Sequence, residues 1–570
     1  MRETARALGR ILAMAALAFV AAAPLRAAAA PASGAPPASG TAPTAAASGT
    51  PPAGGTAPTA PAAEPSAVPG LYLGPASCGS SNCHGSVRPR RVLGVRQDEY
   101  FIWQKQDRHA QAYELLFNER SAAIARNLRL GAPFEQRACL DCHALAVPAG
   151  RQQRRLEIED GISCEGCHGA ASGWLESHRA EGETHERSVA AGMTDLRDLG
   201  VRAGVCLSCH LGAAGRTVDH ELIAAGHPLL TFELDNYTEA MPPHWFAWAD
   251  RPDKALRADT HGTPAWAAGQ AAALRATLDQ LAGRGRAQAV RAPRTPADDA
   301  GAAAGAGGTG MPGGAGGAEI AMGAGAVAGP GGAEMARSAS GAATAVGAGG
   351  AGARAAGEAG LGRQWPDFAQ LDCDSCHHSL AQERWRLGPR SDPPGLPRAS
   401  PAPYAVLRAI LAAAAPEQAA ALDPEVDRLS RLLARFDTPA AEVAASAGRL
   451  ARAAADLVNR LARARWDDER ARRLLLALSD EHGAQEGADV QTARQIVLAA
   501  QTLVAQLVAG DRRWLAAGLA ATAEGLSATV QAPYDFDRAR LAALLAQLRR
   551  QLQEGPGPPA GPRGAAGAVR

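Results

Sequence analysis

Cys139-Leu-Asp-Cys142-His143 and Cys164-Glu-Gly-Cys167-His168 lie a short loop apart, and together they decide how the chain is read. Each is C-x-x-C-H, the attachment signature of c-type haem. Two thioether bonds tie the porphyrin to the cysteines, and the next histidine is placed under the iron as its first axial ligand. Cys206-Leu-Ser-Cys209-His210 and Cys373-Asp-Ser-Cys376-His377 repeat the spacing. Cys78-Gly-Ser-Ser-Asn-Cys83-His84 is looser, with two more residues between its cysteines. These motifs use all 10 cysteines, and a histidine follows the second cysteine each time although histidine fills only 14 of 570 positions. Five disulfides in an exported chain would leave those histidines unexplained. Zinc sites use C-x-x-C pairs but take histidine at remote spacings. The reading is haem c at five sites, four at the least. Covalent attachment falls to Cys78, Cys83, Cys139, Cys142, Cys164, Cys167, Cys206, Cys209, Cys373 and Cys376, and proximal ligation to His84, His143, His168, His210 and His377.

Each iron has a second axial position, so histidines outside the motifs are candidate distal ligands. Between Glu99 and Arg126 the spacing predicts one helix with Ile102, Lys105, His109, Tyr113 and Leu116 on a common face, which makes His109 a candidate. His178 returns from a Gly-containing loop after Cys167-His168. His220 and His227 are two helical turns apart, and Gly226 and Pro228 end that helix, so both are candidates. His378 cannot share the iron of His377 but could serve another. His244, in Met241-Pro-Pro-His244-Trp245, reads at least as well as a packing residue against a haem edge. His185 sits among polar groups, and His261 has no supporting context. Met193 and Met241 are the only methionines nearby, so bis-histidine iron is expected at most sites. An iron without a distal ligand would be open to a small substrate.

Residues 1–30 read as a secretory signal, with Arg2, Arg6 and Arg10 before a short apolar run and small residues for cleavage. The run is too short to span a membrane comfortably, and no later stretch approaches a span. The expected address is the bacterial periplasm. Residues 31–69 read as a disordered Ala/Pro-rich linker, 70–291 as a cytochrome domain with four haem sites, 292–360 as a disordered Gly/Ala-rich insertion, and 361–399 as the fifth site. From 400 to 553 helical stripes recur, and 554–570 is a flexible tail. Asp423-Pro424 is expected to start a helix with Val426, Leu429, Leu433 and Phe436 inward, and Thr438-Pro439 another with Val443, Leu450, Leu457 and Leu461 inward. Thr492–Val508 and a last stripe of Leu541, Leu544, Leu548 and Leu552 complete an antiparallel bundle suited to packing or to a docking partner. Net charge is +1, which gives no reason to expect nucleic acid or an anionic membrane as partner. Aromatics are 4% of the chain, so porphyrins are expected to fill much of the N-terminal core. The fold class is therefore mainly α: a haem-cored cytochrome domain with little sheet, then a helical bundle.

The stretch Trp103 to Ala112 around His109, then Gly161-Ile-Ser-Cys-Glu-Gly-Cys-His-Gly169, His178-Arg179 and Cys206 to His210, in that order, resembles the tetrahaem cytochrome c-554 family. The resemblance covers roughly 70–230 and implies His109 and His178 as distal ligands. It also implies a periplasmic carrier of electrons from hydroxylamine oxidation, with three bis-histidine haems and one five-coordinate haem. The wider first site, the fifth site, the insertion and the helical region lie outside that pattern. The expected function is a periplasmic pentahaem carrier passing electrons between redox partner proteins. The alternative is a multihaem oxidoreductase acting on a small nitrogen or sulfur compound at a five-coordinate haem.

Overall fold

The computed structural model describes residues 70–90, 95–153, 156–245, 261–291, 365, 368–373, 377, 400, 402–480, 489–509, 516–530 and 536–553. The signal and linker expected before residue 70, the insertion, Cys376, His378, most of 361–399 and the tail lie outside these residues.

The chain is mainly helical, and among the described residues the only strand-like pairings are the bridges Tyr72–Gln152 and Ala213–Arg216. Two halves differ in what they bury. From 70 to 198 the clustered apolar core is small: Leu73, Ala171 and Trp174, with Leu71, Leu175 and Met193 against them. Its helices are short, such as Glu99–Gln106, Glu119–Asn127, Arg137–His143 and Cys164–His168. A stretch of this length needs more buried surface than that to hold together.

From Leu199 onward one continuous core runs to Leu552. Leu199, Ala203 and Leu207 on the helix Leu199–His210 belong to it, as do Trp266, Leu274, Leu278 and Leu281 of the helix Thr263–Arg291. That long helix lies along Ala440–Ala462, so the boundary expected at 291 cuts through a packed unit. Gln495 donates to the Phe232 carbonyl (3.2 Å), and Asn236 to Thr502 Oγ1 (3.0 Å), which fastens the helix Val490–Ala509 to the segment 231–240.

Several sequence expectations change. Glu99–Arg126 is not one helix. It breaks at Asp107, whose carboxylate accepts the His109 amide (3.0 Å) and starts a new turn. Pro424 lies inside the helix Pro416–Leu433, because Pro416 already opens it at the first helical position. Val426 is half-buried and Phe436 is 58% exposed, so that stripe ends at Leu433. Leu545 takes the inward place expected for Leu544. The helix carrying His220 is only His220–Ala224, and Gly226 at φ 116° turns the chain before His227. The two histidines therefore share no helix face.

Candidate haem sites

Three of the C-x-x-C-H motifs lie wholly on helices: Arg137–His143, Cys164–His168 and Leu199–His210. A helical turn places cysteines three apart on one side, with the following histidine beside them. Asp198 caps the last of these helices by accepting the Val201 amide (2.9 Å). The first motif reaches the same grouping differently. Its longer spacer folds into a closed loop in which the His84 amide donates to the Cys78 carbonyl (3.2 Å). Gly85 closes that loop, since a Cβ there would collide with the Gly79 carbonyl. The nine described cysteines are free of disulfides.

The histidines outside the motifs come to meet those inside. His84 and His178 face each other with ring centres 6.3 Å apart and planes 12° apart. His210 and His109 are 6.0 Å apart at 89°, His168 and His244 6.4 Å at 79°, and His377 and His220 6.0 Å at 27°. A metal-bound nitrogen lies about 2 Å from its metal, and the ring centre roughly 1 Å beyond, so two imidazoles on opposite faces of one iron have centres about 6 Å apart. Four pairs have that separation. His143 makes no ring contact with a second histidine among the described residues, but it lies close enough to His227 to depress its pKa, after burial and ahead of Arg120. Arg120 donates to the Gly226 carbonyl (3.0 and 2.7 Å) and Asn127 to that of Ala225 (3.0 Å), which anchors the turn of His227.

The other ring nitrogen is engaged in most of these imidazoles. Nδ1 pairs with Glu99 Oε2 in His84 (3.1 Å), with Asp107 Oδ1 in His109 (2.8 Å), and with backbone carbonyls of Ala112, Leu175 and Pro228 in His143, His178 and His227 (2.9, 2.6 and 2.8 Å). His244 bonds to the backbone at Pro242. Such a contact fixes the tautomer and leaves Nε2 as the free donor, the usual arrangement around a metal-binding histidine. Burial pushes His168 and His210 down to about 4, with the facing rings adding to the effect, so both are neutral imidazoles near neutral pH. His185 is different: its Nε2 bonds to Asp195 (2.8 Å), and no motif histidine faces it among the described residues. His261 stands apart beside Asp235 and Glu239.

The sites adjoin one another. The Cys78 thiol meets that of Cys164, and Cys142 meets Cys209. Cys167 is within electrostatic reach of Cys206 and Cys209. In a haem-loaded protein these sulfurs would be thioethers, so the contacts would bring the edges of neighbouring haems together. The order in space is first, third, fourth, second. Near the fifth motif, Gln491 approaches Cys373 Sγ (3.5 Å) and also lines a cavity of about 330 Å³ with Val218, Gln370, Tyr404 and leucines such as Leu211, Leu278 and Leu433.

Packing ties the ligand turns to the motifs. Trp103 Nε1 donates to the Ile162 carbonyl (3.0 Å), and the Ile162 amide to the His109 carbonyl (2.9 Å). Gly161, at φ 61°, allows this, because a Cβ there would stand 2.6 Å from the His109 oxygen. His210 is flanked by Phe232 (5.6 Å) and Tyr237 (5.2 Å). Sequence reading missed Glu165. It is 3% exposed, and its carboxylate accepts the amides of Leu73 (2.9 Å), Gly74 (2.8 Å) and Ala171 (2.8 Å). Its place between the cysteines of a motif gave no sign of that role. His244 was left open in sequence because its partner lies far away in the chain.

The residues fit haem c: paired cysteines, a neighbouring imidazole, a second imidazole opposite, and a half of the molecule with little core of its own. No curated protein and no solved structure matches the chain. Residues 78–169, which hold the first three motifs and the turn of His109, match the family described as cytochrome c554 and c-prime, so that segment is similar to a haem c-binding cytochrome.

Proposed function

We propose that the chain is an exported pentahaem cytochrome that passes electrons between redox partner proteins of the periplasm through bis-histidine irons. The observation that carries this reading is the four facing imidazole pairs at 6.0–6.4 Å, each with one motif histidine. Haem supplies an iron that cycles between ferric and ferrous; with both axial positions filled it exchanges electrons without binding substrate. The chain's part is to hold each ring pair rigid, exclude water, and keep neighbouring porphyrin edges in contact. Asp107, Glu99 and the backbone carbonyls named above orient the rings. The continuous core behind His210 steadies the fourth site. The pair His220–His377 and the cavity beside Cys373 support a fifth site within the half that holds the continuous core. Among the described residues no helix is long and apolar enough to cross a membrane.

Intact mass of the purified chain tests the reading: five covalent haems are expected, and four or fewer would remove the Cys78 or Cys373 site. The ferric spectrum is expected to be low-spin throughout. The second reading, chemistry on a small nitrogen or sulfur compound, attaches to the iron of His143, whose opposite ligand makes no ring contact with it. A high-spin ferric component that binds cyanide would favour that reading over the pure carrier.

A further inference from the structure

We propose that Glu99 and Asp107 set reduction potentials: each holds one axial imidazole by Nδ1 and makes the irons of His84/His178 and His210/His109 harder to reduce than that of His143/His227. This rests on the pentahaem reading and deepens it. A carboxylate that accepts the Nδ1 proton draws it away from the ring. The ring becomes a more electron-rich ligand, which favours the ferric iron with its extra positive charge. A backbone carbonyl is a neutral dipole and does this less.

The geometry divides the sites accordingly. Glu99 holds His84 at 3.1 Å and is itself fixed, since its other oxygen accepts the Arg96 amide (2.8 Å). Asp107 holds His109 at 2.8 Å, and its side chain is only 9% exposed, so solvent screens the contact little. His143 and His227 both turn Nδ1 to backbone carbonyls, at 2.9 and 2.8 Å. The third site falls between. His244 has a backbone partner at Pro242, but both carboxylates act on it through space, with Arg96 opposing them. Along the row first, third, fourth, second, an electron delivered by a partner protein therefore comes to rest at the second site, reducing that ferric iron to ferrous. That end of the row is where a partly reduced molecule stores charge.

Redox titration of the full haem-loaded chain, followed by the ferric low-spin signals in electron paramagnetic resonance, tests this. In Glu99→Gln and in Asp107→Asn, one iron is expected to become about tenfold easier to reduce, equivalent to about 59 mV for one electron, with a smaller move in the same direction at the third site. Asp195→Asn removes a carboxylate–imidazole pair in which no motif histidine takes part and is expected to move none. No shift, a downward shift, or an equal shift of every iron that Asp195→Asn reproduces would overturn the proposal. Where the carboxylate variants lose haem, the order of signals decides instead. The signal removed by His227→Ala is expected to titrate above the one removed by His178→Ala, and the reverse order refutes it. A haem count below five or a high-spin majority strikes the pentahaem reading. Unmoved potentials in a five-haem, low-spin chain strike this inference alone.

Discussion

Replacing Glu165 by alanine should release the segment around Leu73 and Gly74 without touching a cysteine or a ligand. Its carboxylate sits between Cys164 and Cys167 and accepts three backbone amides, from Leu73, Gly74 and Ala171, all at 2.8–2.9 Å. Leu73 is 9% exposed and Ala171 fully buried, so water is poorly placed to replace the lost acceptor. A hydrogen bond to a charged group contributes roughly 1.5–3 kcal/mol, so three would give a gross loss of about 5–9. The carboxylate's own burial opposes folding by several kcal/mol, which leaves a net loss of about 3 kcal/mol. At 1.4 kcal/mol per factor of ten, that is roughly a hundredfold faster opening. Hydrogen exchange on the haem-loaded protein, read by mass spectrometry on peptides spanning 70–77 and 169–175, measures it directly. Exchange within threefold of the unaltered chain in both peptides would refute the claim that Glu165 pins these segments.

Other expectations follow from single contacts. His244→Ala removes the ring opposite His168 and should turn one iron in five high-spin and able to bind carbon monoxide when reduced; an unchanged low-spin spectrum would exclude His244 as a ligand. Cys83→Ser should leave the first porphyrin bound through Cys78 alone, giving a single-thioether absorption band at that site, and an unaltered pyridine spectrum would argue that the wide motif carries no haem. Glu233 caps the helix Leu234–Ala240, and burial with Asp235 beside it raises its pKa well above 4.5. The folded state then holds a proton that the unfolded state releases, so this group's contribution is full below about 4.5 and is lost as pH rises towards neutrality. Denaturation midpoints measured from pH 4.5 to 7.5 should fall, and Glu233→Gln should flatten that slope; an equal slope in both proteins would dismiss Glu233 as its source.

The motifs made the proximal side of each site legible, because attachment needs cysteines and a histidine at fixed local spacing. The turns of His109 and His178 were legible for a weaker reason, a histidine where a face or loop returns towards the motifs. Pairing was not legible. His244 meets His168 and His220 meets His377 through contacts that no local period encodes, and the break at Asp107 depends on a side chain capping its own backbone, which ended the helix expected over Glu99–Arg126. The helical nature of 400–553 was clear from its leucine spacing, but its union with Thr263–Arg291 and Leu199–His210 was not. Amphipathic stripes show that a face is buried without showing against what. Pro424 misled because proline after aspartate is a common helix start, while Pro416 had already supplied one.

The four ring pairs also have a topology. His84 reaches forward to His178, His109 to His210, His168 to His244 and His220 to His377, so the spans interleave rather than nest end to end. Once iron bridges them, each acts as a cross-link closing a loop on the order of a hundred residues, the range in which a covalent link lowers unfolded-chain freedom by about 4–5 kcal/mol. Interleaving makes those links mutually dependent: no span can open widely while its neighbours hold.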